Sequence, residues 1–270
     1  MNSFVGPPLG SFLIGIAVFL PLYIDAGSFF IAAALIASLV TSNKPKEVSA
    51  QKNMRKEIAE GFNWLWSNEL IRSMAISLGA LNFIGMMANA TFILFAQEVL
   101  QTSVFEFAVL GTAGAIGGTV AGFIAPKIIK RIGSGSSLSI ALATIPIVHL
   151  LIGLSSTWIL VWFLTFLLTS MAVLWNVVTV TFRQSVVPSE LLGRVNSVYR
   201  FFGWGSIPIG ALVGGLVVTI TSKYLDRELA LRAPYFLAVL SGFLTLLFAF
   251  PRLTTAKIEL ARRLAQSDEK

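Results

Sequence analysis

TWILVWFLTFLLTSMAVLWNVVTVTF, residues 157–182, runs its whole length without a charged side chain. A helix needs roughly 20 mainly apolar residues to cross the hydrocarbon core of a bilayer, so this stretch is long enough to span one. It lacks the strict apolar–polar alternation of a barrel strand. In lipid, backbone polar groups must be paired within the segment or in a closed barrel, so the stretch reads as a transmembrane helix.

Working outward, stretches of the same character lie near residues 4–20, 22–41, 71–97, 105–126, 137–154, 198–221 and 233–250. Together they predict an all-α membrane protein with about eight transmembrane helices. Composition agrees: 56% of the residues are hydrophobic, 12% are charged and the mean hydropathy is +0.81, too apolar for a soluble domain. The first stretch does not read as a secretory leader, because Met1 to Val5 carries no basic residue and no small-x-small cleavage site precedes Pro21. Cysteine is absent, which excludes disulfides, thiol chemistry and cysteine-based metal sites.

Orientation follows from charge. All but three of the 20 basic residues fall on one side of the predicted arrangement, within 44–72, 127–131, 183–200 and 252–270. The other side carries Lys223, Arg227 and Arg232, beside Asp226 and Glu228. By the positive-inside rule both termini are cytoplasmic. The net charge of +7 is then explained by topology and lipid headgroups, with no nucleic-acid partner implied.

Four regions are expected: two helices in 1–41, a cytoplasmic linker in 42–70, a six-helix bundle in 71–250 and a cytoplasmic tail in 251–270. Within the linker, Glu57, Ile58, Phe62, Leu65 and Trp66 have the spacing of an amphipathic helix lying on the membrane surface. Enzyme chemistry finds no support. The chain has no Gly-rich phosphate loop and no metal-ligand cluster, and its single histidine, His149, has no partner for a triad or a HExxH site. No cofactor or metal is expected, and His149 itself reads as structural.

An internal repeat appears at an offset of 200 residues, where Pro8 to Gly15 lies over Pro208 to Gly215. The first two spans then copy the last two, which makes the repeat unit six spans long. Repeated membrane bundles are typical of secondary transporters, in which substrate sits between two halves. Small residues mark the same helices: Gly6, Pro7 and Gly10 in the first span, Pro208, Gly210 and Gly214 in the seventh, and Gly114, Gly118 and Gly122 in the fourth. Such faces let helices approach closely.

Polar residues form stripes. Asn82, Met86 and Asn89 share one helix face at offsets of four and seven, and Asn176, Thr179 and Arg183 share another. With Met87, Phe92, Trp175 and Trp204 they would make a cavity suited to bulky amphipathic molecules. The same stripes would serve equally as interhelical hydrogen bonds, each worth about 0.6 kcal/mol. Asp25 falls inside an apolar stretch near the outer end of the second span, where it caps the helix start or contacts an ion or substrate.

The order of these features resembles the major facilitator superfamily. Gly6-Pro7-Pro8-Leu9-Gly10 is similar to the end of the Gly-Pro motif in the fifth span of its antiporters. The connection from Thr41 to Asn68 looks like the linker between its halves. Gly122 to Arg131 resembles the second copy of its signature loop, Gly-x-x-x-Asp-Arg-x-Gly-Arg-Arg, with Pro126 in place of Asp and Ile129 in place of Gly. Arg183 to Pro188, leading to Leu192 through Ser197, resembles the loop before the eleventh span in the macrolide-efflux and enterobactin-exporter branch.

The resemblance implies a partial major-facilitator fold: spans five to twelve, N-terminally truncated, with a complete C-terminal six-helix bundle and the last two helices of the other half. It implies proton-coupled efflux of a drug- or siderophore-like amphipathic solute across the bacterial inner membrane by alternating access. Asn82, Met86, Asn89, Trp175, Asn176, Thr179 and Trp204 would face the path, and Gly122, Lys127, Lys130, Arg131, Gly193 and Arg194 would form the cytoplasmic gate. The coupling acid would lie in the four absent spans. The alternative is a transport-inactive remnant, or a structural partner completed by a separate N-terminal fragment.

Overall fold

The computed structural model describes Ala17 and residues 19–38 and 54–268. The chain divides into two compact units, residues 1–53 and 54–270. In the first, α1 covers Leu20–Ser38. In the second, α2 covers Met54–Ser67, α3 Glu69–Asn89, α4 Phe92–Leu94, α5 Val104–Ile132, α6 Ser134–Leu154, α7 Trp158–Val186, α8 Leu192–Thr221, α9 Arg227–Ala249 and α10 Thr255–Asp268. Among the described residues, seven helices are long and apolar enough to cross a membrane: α1, α3 and α5 to α9. Most of the first expected span, with Gly6, Pro7, Gly10 and the first copy of the repeat, lies outside the described residues.

Several helices outrun their apolar stretches. At 1.5 Å per residue, α8 with its 30 residues is about 45 Å long, against roughly 30 Å of hydrocarbon. Three segments expected as loops are consequently helical: Lys127 to Arg131 ends α5, Arg183 to Val186 ends α7, and Leu192 to Ser197 begins α8. Hydropathy falls where side chains become charged, but backbone hydrogen bonding has no reason to stop there. In α5, Lys130 and Arg131 complement the negative helix end, and Gly133 at φ 88° turns the chain out of it.

The third span departs in the other direction. Its α-helical ladder stops at Asn89, and α4 with a π-turn over Phe95–Val99 carries the chain to Leu100. Gln101, at φ 51°, then reverses it.

Helix starts are capped as the sequence chemistry requires. Asn68 accepts from the Ile71 N–H, Ser103 and Glu106 form a capping box, and Asp226 accepts from the Leu229 N–H, so each satisfies a donor that the helix leaves open. At the start of α6 the caps come from elsewhere. The Thr255 hydroxyl of α10 accepts from the Gly135 and Ser136 N–H groups at 3.0 and 3.2 Å, which fastens the tail helix to the bundle.

Glycines set the closest helix contacts. A Cβ at Gly210 or Gly214 of α8 would overlap the carbonyl of Phe83 or Met87 on α3, and one at Gly117 of α5 would overlap the Phe166 carbonyl on α7. Gly114 and Gly118 meet α7 at ordinary van der Waals distance, whereas Gly122 faces open space. The amphipathic helix expected before the third span is α2. Its Gly61 and Leu65 are buried, while Ile58, Phe62 and Trp66 are exposed. Gly61 lies against the Arg194 backbone, and the Arg194 guanidinium bridges Glu57 and Glu60.

Beside a small apolar cluster of Ile84, Met87 and Ala238, two larger ones occupy the second unit. One lies towards the basic end, around Ile71, Met74, Leu138, Phe182 and Val195; the other lies towards the opposite end, around Phe95, Leu110, Ile152, Leu164 and Leu231.

Candidate functional site

Between these clusters the helices leave a cavity of about 470 Å³. Its outer wall comes from α3 and α7. On α3, Asn82, Gly85, Met86 and Asn89 recur at helical spacing; on α7, Thr165, Thr169, Ala172 and Asn176 do the same. Gly85, Asn89, Ala172 and Asn176 are exposed, so the cavity opens along the seam between these two helices. Its inner wall comes from α6, through the buried Ala141, His149 and Ile152 and the half-buried Ile145, together with the buried Tyr235 of α9. Trp175 and Phe92 add aromatic surface.

Polar groups are few and mostly anchored. The Asn82 side-chain amide donates to the Gly203 carbonyl at 2.9 Å, tying α3 to α8, and the Asn176 amide donates to the Ala172 carbonyl at 3.0 Å. Each keeps its side-chain oxygen as a spare acceptor. The Thr169 hydroxyl donates to the Thr165 carbonyl at 3.0 Å. Asp, Glu, Lys and Arg do not occur among the lining residues. Such a cavity can hold a mainly apolar molecule by area and orient it through a few hydrogen bonds. Among the described residues no group of three His, Asp or Glu side chains could hold a metal ion.

Of the path residues expected from sequence, Asn82, Met86, Asn89, Trp175 and Asn176 come together in this cavity. Thr179 and Trp204 do not. Thr179 is 1% exposed and its hydroxyl donates back to the Trp175 carbonyl, because towards the basic end α8 covers this face of α7. There the Arg183 guanidinium lies 3.6 Å from the centre of the Tyr199 ring, and its Nε donates to the Asn196 side-chain oxygen at 3.1 Å. Trp204 is 65% exposed on α8, with the Arg200 guanidinium over its ring.

The expected gate residues are dispersed. Lys127, Lys130 and Arg131 are exposed on the last turns of α5, and Gly193 faces open space in the first turn of α8. Asp25 lies in the second turn of α1, where its carbonyl accepts from the Ser28 hydroxyl at 2.7 Å; the helix begins before it, so it is not a cap. Sequence reasoning passed over Thr165, Thr169 and Tyr235, and assigned His149 no part in the path. The threonines were findable by extending the Asn176 stripe back by seven and eleven residues. His149 and Tyr235 carried no such signal.

The end opposite the basic one is fastened by two arginines. Arg232 is buried and donates to the carbonyls of Gly153 and Ser155 at 2.6 and 2.8 Å, to the Ser156 hydroxyl at 3.0 Å and to Glu228. Arg227 holds both carboxylate oxygens of Glu98, at 2.8 and 2.9 Å. These hydrogen bonds lower the Glu98 pKa from its ordinary value.

Among solved structures, the chain is similar to a bacterial homologue of the human lysosomal transporter Spinster, crystallised in an inward-facing and unoccupied conformation. Identity is 17% and the TM-score is 0.48, over 97% of this chain and 66% of that one. The chain thus spans just under two thirds of that protein's length. No curated protein matches the sequence. The family model of the Major Facilitator Superfamily matches residues 2–211. With its apolar spanning helices and a match over most of its length, the chain belongs to the Major Facilitator Superfamily and is a multi-pass membrane protein of a transporter family.

Proposed function

We propose that the cavity between α3 and α7 is the solute site of an exporter, and that the solute is a bulky, mainly apolar molecule with few polar groups, in the size class of a drug or siderophore. The observation that carries this reading is the cavity itself. Its volume of about 470 Å³ lies within the roughly 300–1,000 Å³ usual for small-molecule sites, and its wall is apolar and aromatic apart from a few amides and hydroxyls. A permanently charged anion would find no cation in that wall, whereas a neutral or weakly cationic amphiphile would meet aromatic faces and spare amide oxygens.

In this reading the basic end faces the cytoplasm of a bacterial cell, in line with the positive-inside rule, and the protein works in the inner membrane. Alternating access exposes the α3–α7 seam to one side and then the other, and a proton gradient drives the cycle. The test is export of a lipophilic dye, ethidium, from cells expressing the 270-residue chain, with and without a protonophore. Export faster than in vector-only cells, collapsing with the protonophore, is expected. Efflux equal to the vector control overturns the export reading, and export that survives the protonophore overturns the coupling.

A further inference from the structure

We propose that His149 is the proton-carrying group of the cavity, and that a proton on its ring and a cationic solute exclude one another there. This rests on the reading of the cavity as a solute site and names the residue through which protons act on it. His149 stands on the inner wall, on the same face of α6 as Ala141, Ile145 and Ile152. Among the lining residues it is the one whose side chain ordinarily changes charge between pH 5 and 8.

The hydrogen bond already made by the ring decides which nitrogen faces the cavity. Nδ1 lies 2.8 Å from the Ile145 carbonyl oxygen, one turn back on the same helix. A carbonyl only accepts, so Nδ1 carries a proton and donates it, which in the neutral ring leaves Nε2 as an acceptor. Nε2 makes no hydrogen bond within the protein. Unlike the Tyr235 hydroxyl it is not enclosed by protein atoms, so it opens onto the cavity that the residue lines. The cavity in turn opens along the α3–α7 seam, past the exposed Asn89 and Asn176, which gives proton and solute a common way in.

The surroundings of the ring hold little charge. No Asp, Glu, Lys or Arg occurs in α6, in α3 from Ser73 onward, in α5 between Glu106 and Lys127, or in α7 as far as Phe182. On α9, Tyr235 is an uncharged phenol, and Arg232, bound to the Gly153 carbonyl, is balanced by Glu228. Glu98, beyond α4, is held by Arg227. The charged residues of α10 lie against the far end of α6, where Glu259 meets Ser134.

With no carboxylate in the wall, a proton on Nε2 places an unbalanced cation beside the solute. A second cation in the same space is repelled in a medium of low dielectric, where charges are poorly screened. The effect is reciprocal: the proton weakens solute binding by the factor by which the solute weakens proton binding. A cationic solute entering the cavity therefore sends the proton from Nε2 to water in the seam, and a returning proton releases the solute. Affinity for the cation falls as the pH falls.

The test uses two probes of one shape, the permanent cation 2-naphthyltrimethylammonium and its neutral counterpart 2-tert-butylnaphthalene. Binding to the full chain in nanodiscs of zwitterionic lipid is measured by equilibrium dialysis at pH 8 and pH 5, with protein-free nanodiscs as the blank. The wild type should bind the cation roughly tenfold more weakly at pH 5 than at pH 8, and the neutral probe equally at both to within about twofold. His149→Asn keeps an amide that can donate to the Ile145 carbonyl but cannot titrate, and its pH ratio for the cation should fall to that of the neutral probe. Calorimetry of the wild type in two buffers of different ionisation enthalpy reads the same event as proton release when the cation binds, so the test stands even where His149→Asn does not fold. Binding of the cation without pH dependence or proton release, a pH ratio shared by both probes, or one unchanged in His149→Asn overturns the role of His149 and leaves the cavity reading standing. If neither probe binds the wild type at either pH, the cavity reading falls and this inference falls with it.

Discussion

Arg232 shows how one buried cation can organise an end of the bundle. Its guanidinium reaches the carbonyls of Gly153 and Ser155 at the end of α6, where the helix leaves acceptors without intrahelical donors, while Glu228 one turn back balances its charge. Replacing it with Met removes the donors and leaves those carbonyls buried, so Arg232→Met should cost about 2–4 kcal/mol, read as a lower thermal midpoint in detergent. An unchanged midpoint would show that water takes over the role. Glu98 makes a pH-dependent counterpart. Because Arg227 lowers its pKa from the ordinary value of 4.5, the ionised pair contributes stability above the unfolded-state pKa, and the contribution is lost as pH falls through the folded one. Thermal midpoints of Glu98→Gln and wild type should therefore differ at pH 7 and converge as the pH is taken well below 4.5. A gap that persists at low pH would assign the effect to packing.

At the scale of helices, the backbone of α3 lies directly against Gly210 and Gly214, so the α3–α8 contact leaves no room for a side chain. Gly210→Ala should force the pair apart and destabilise the chain by about 1–3 kcal/mol. Gly215→Ala, one residue beyond Gly214 but facing open space, should be neutral or stabilising by about 0.5–1 kcal/mol, because alanine is the better helix former. If both variants unfold at the same temperature, the close approach does not matter to stability. Glycines were visible in the sequence as a class. Which of them sit under a neighbouring backbone was not, since Gly117 and Gly118 are adjacent in the chain and only Gly117 meets the Phe166 carbonyl.

For the molecule as a whole, the polar stripes of α3 and α7 matter because they face each other across an opening. Asn89→Leu and Asn176→Leu should each shift selectivity towards less polar solutes by roughly fivefold, the worth of about one hydrogen bond, measured as the ratio of binding constants for a polar and an apolar probe. An unchanged ratio would make the stripes helix-to-helix glue. The sequence alone determined the class of protein. Apolar runs long enough to span lipid, with backbone that must be satisfied within each run, admit helices and little else. It also indicated Asn82, Met86, Asn89, Trp175 and Asn176, because a polar stripe on a membrane helix is legible from periodicity. Only tertiary structure decided that Thr179 is covered by α8, that the charged segments after Pro126 and before Ser197 remain helical, and that His149 and Tyr235 share a wall. Those outcomes depend on which helix crosses which, and at what distance. Crossings are fixed by pairs of residues far apart in the chain, such as Gly153 with Tyr235 or Gly210 with Phe83, and no single helix records its partner.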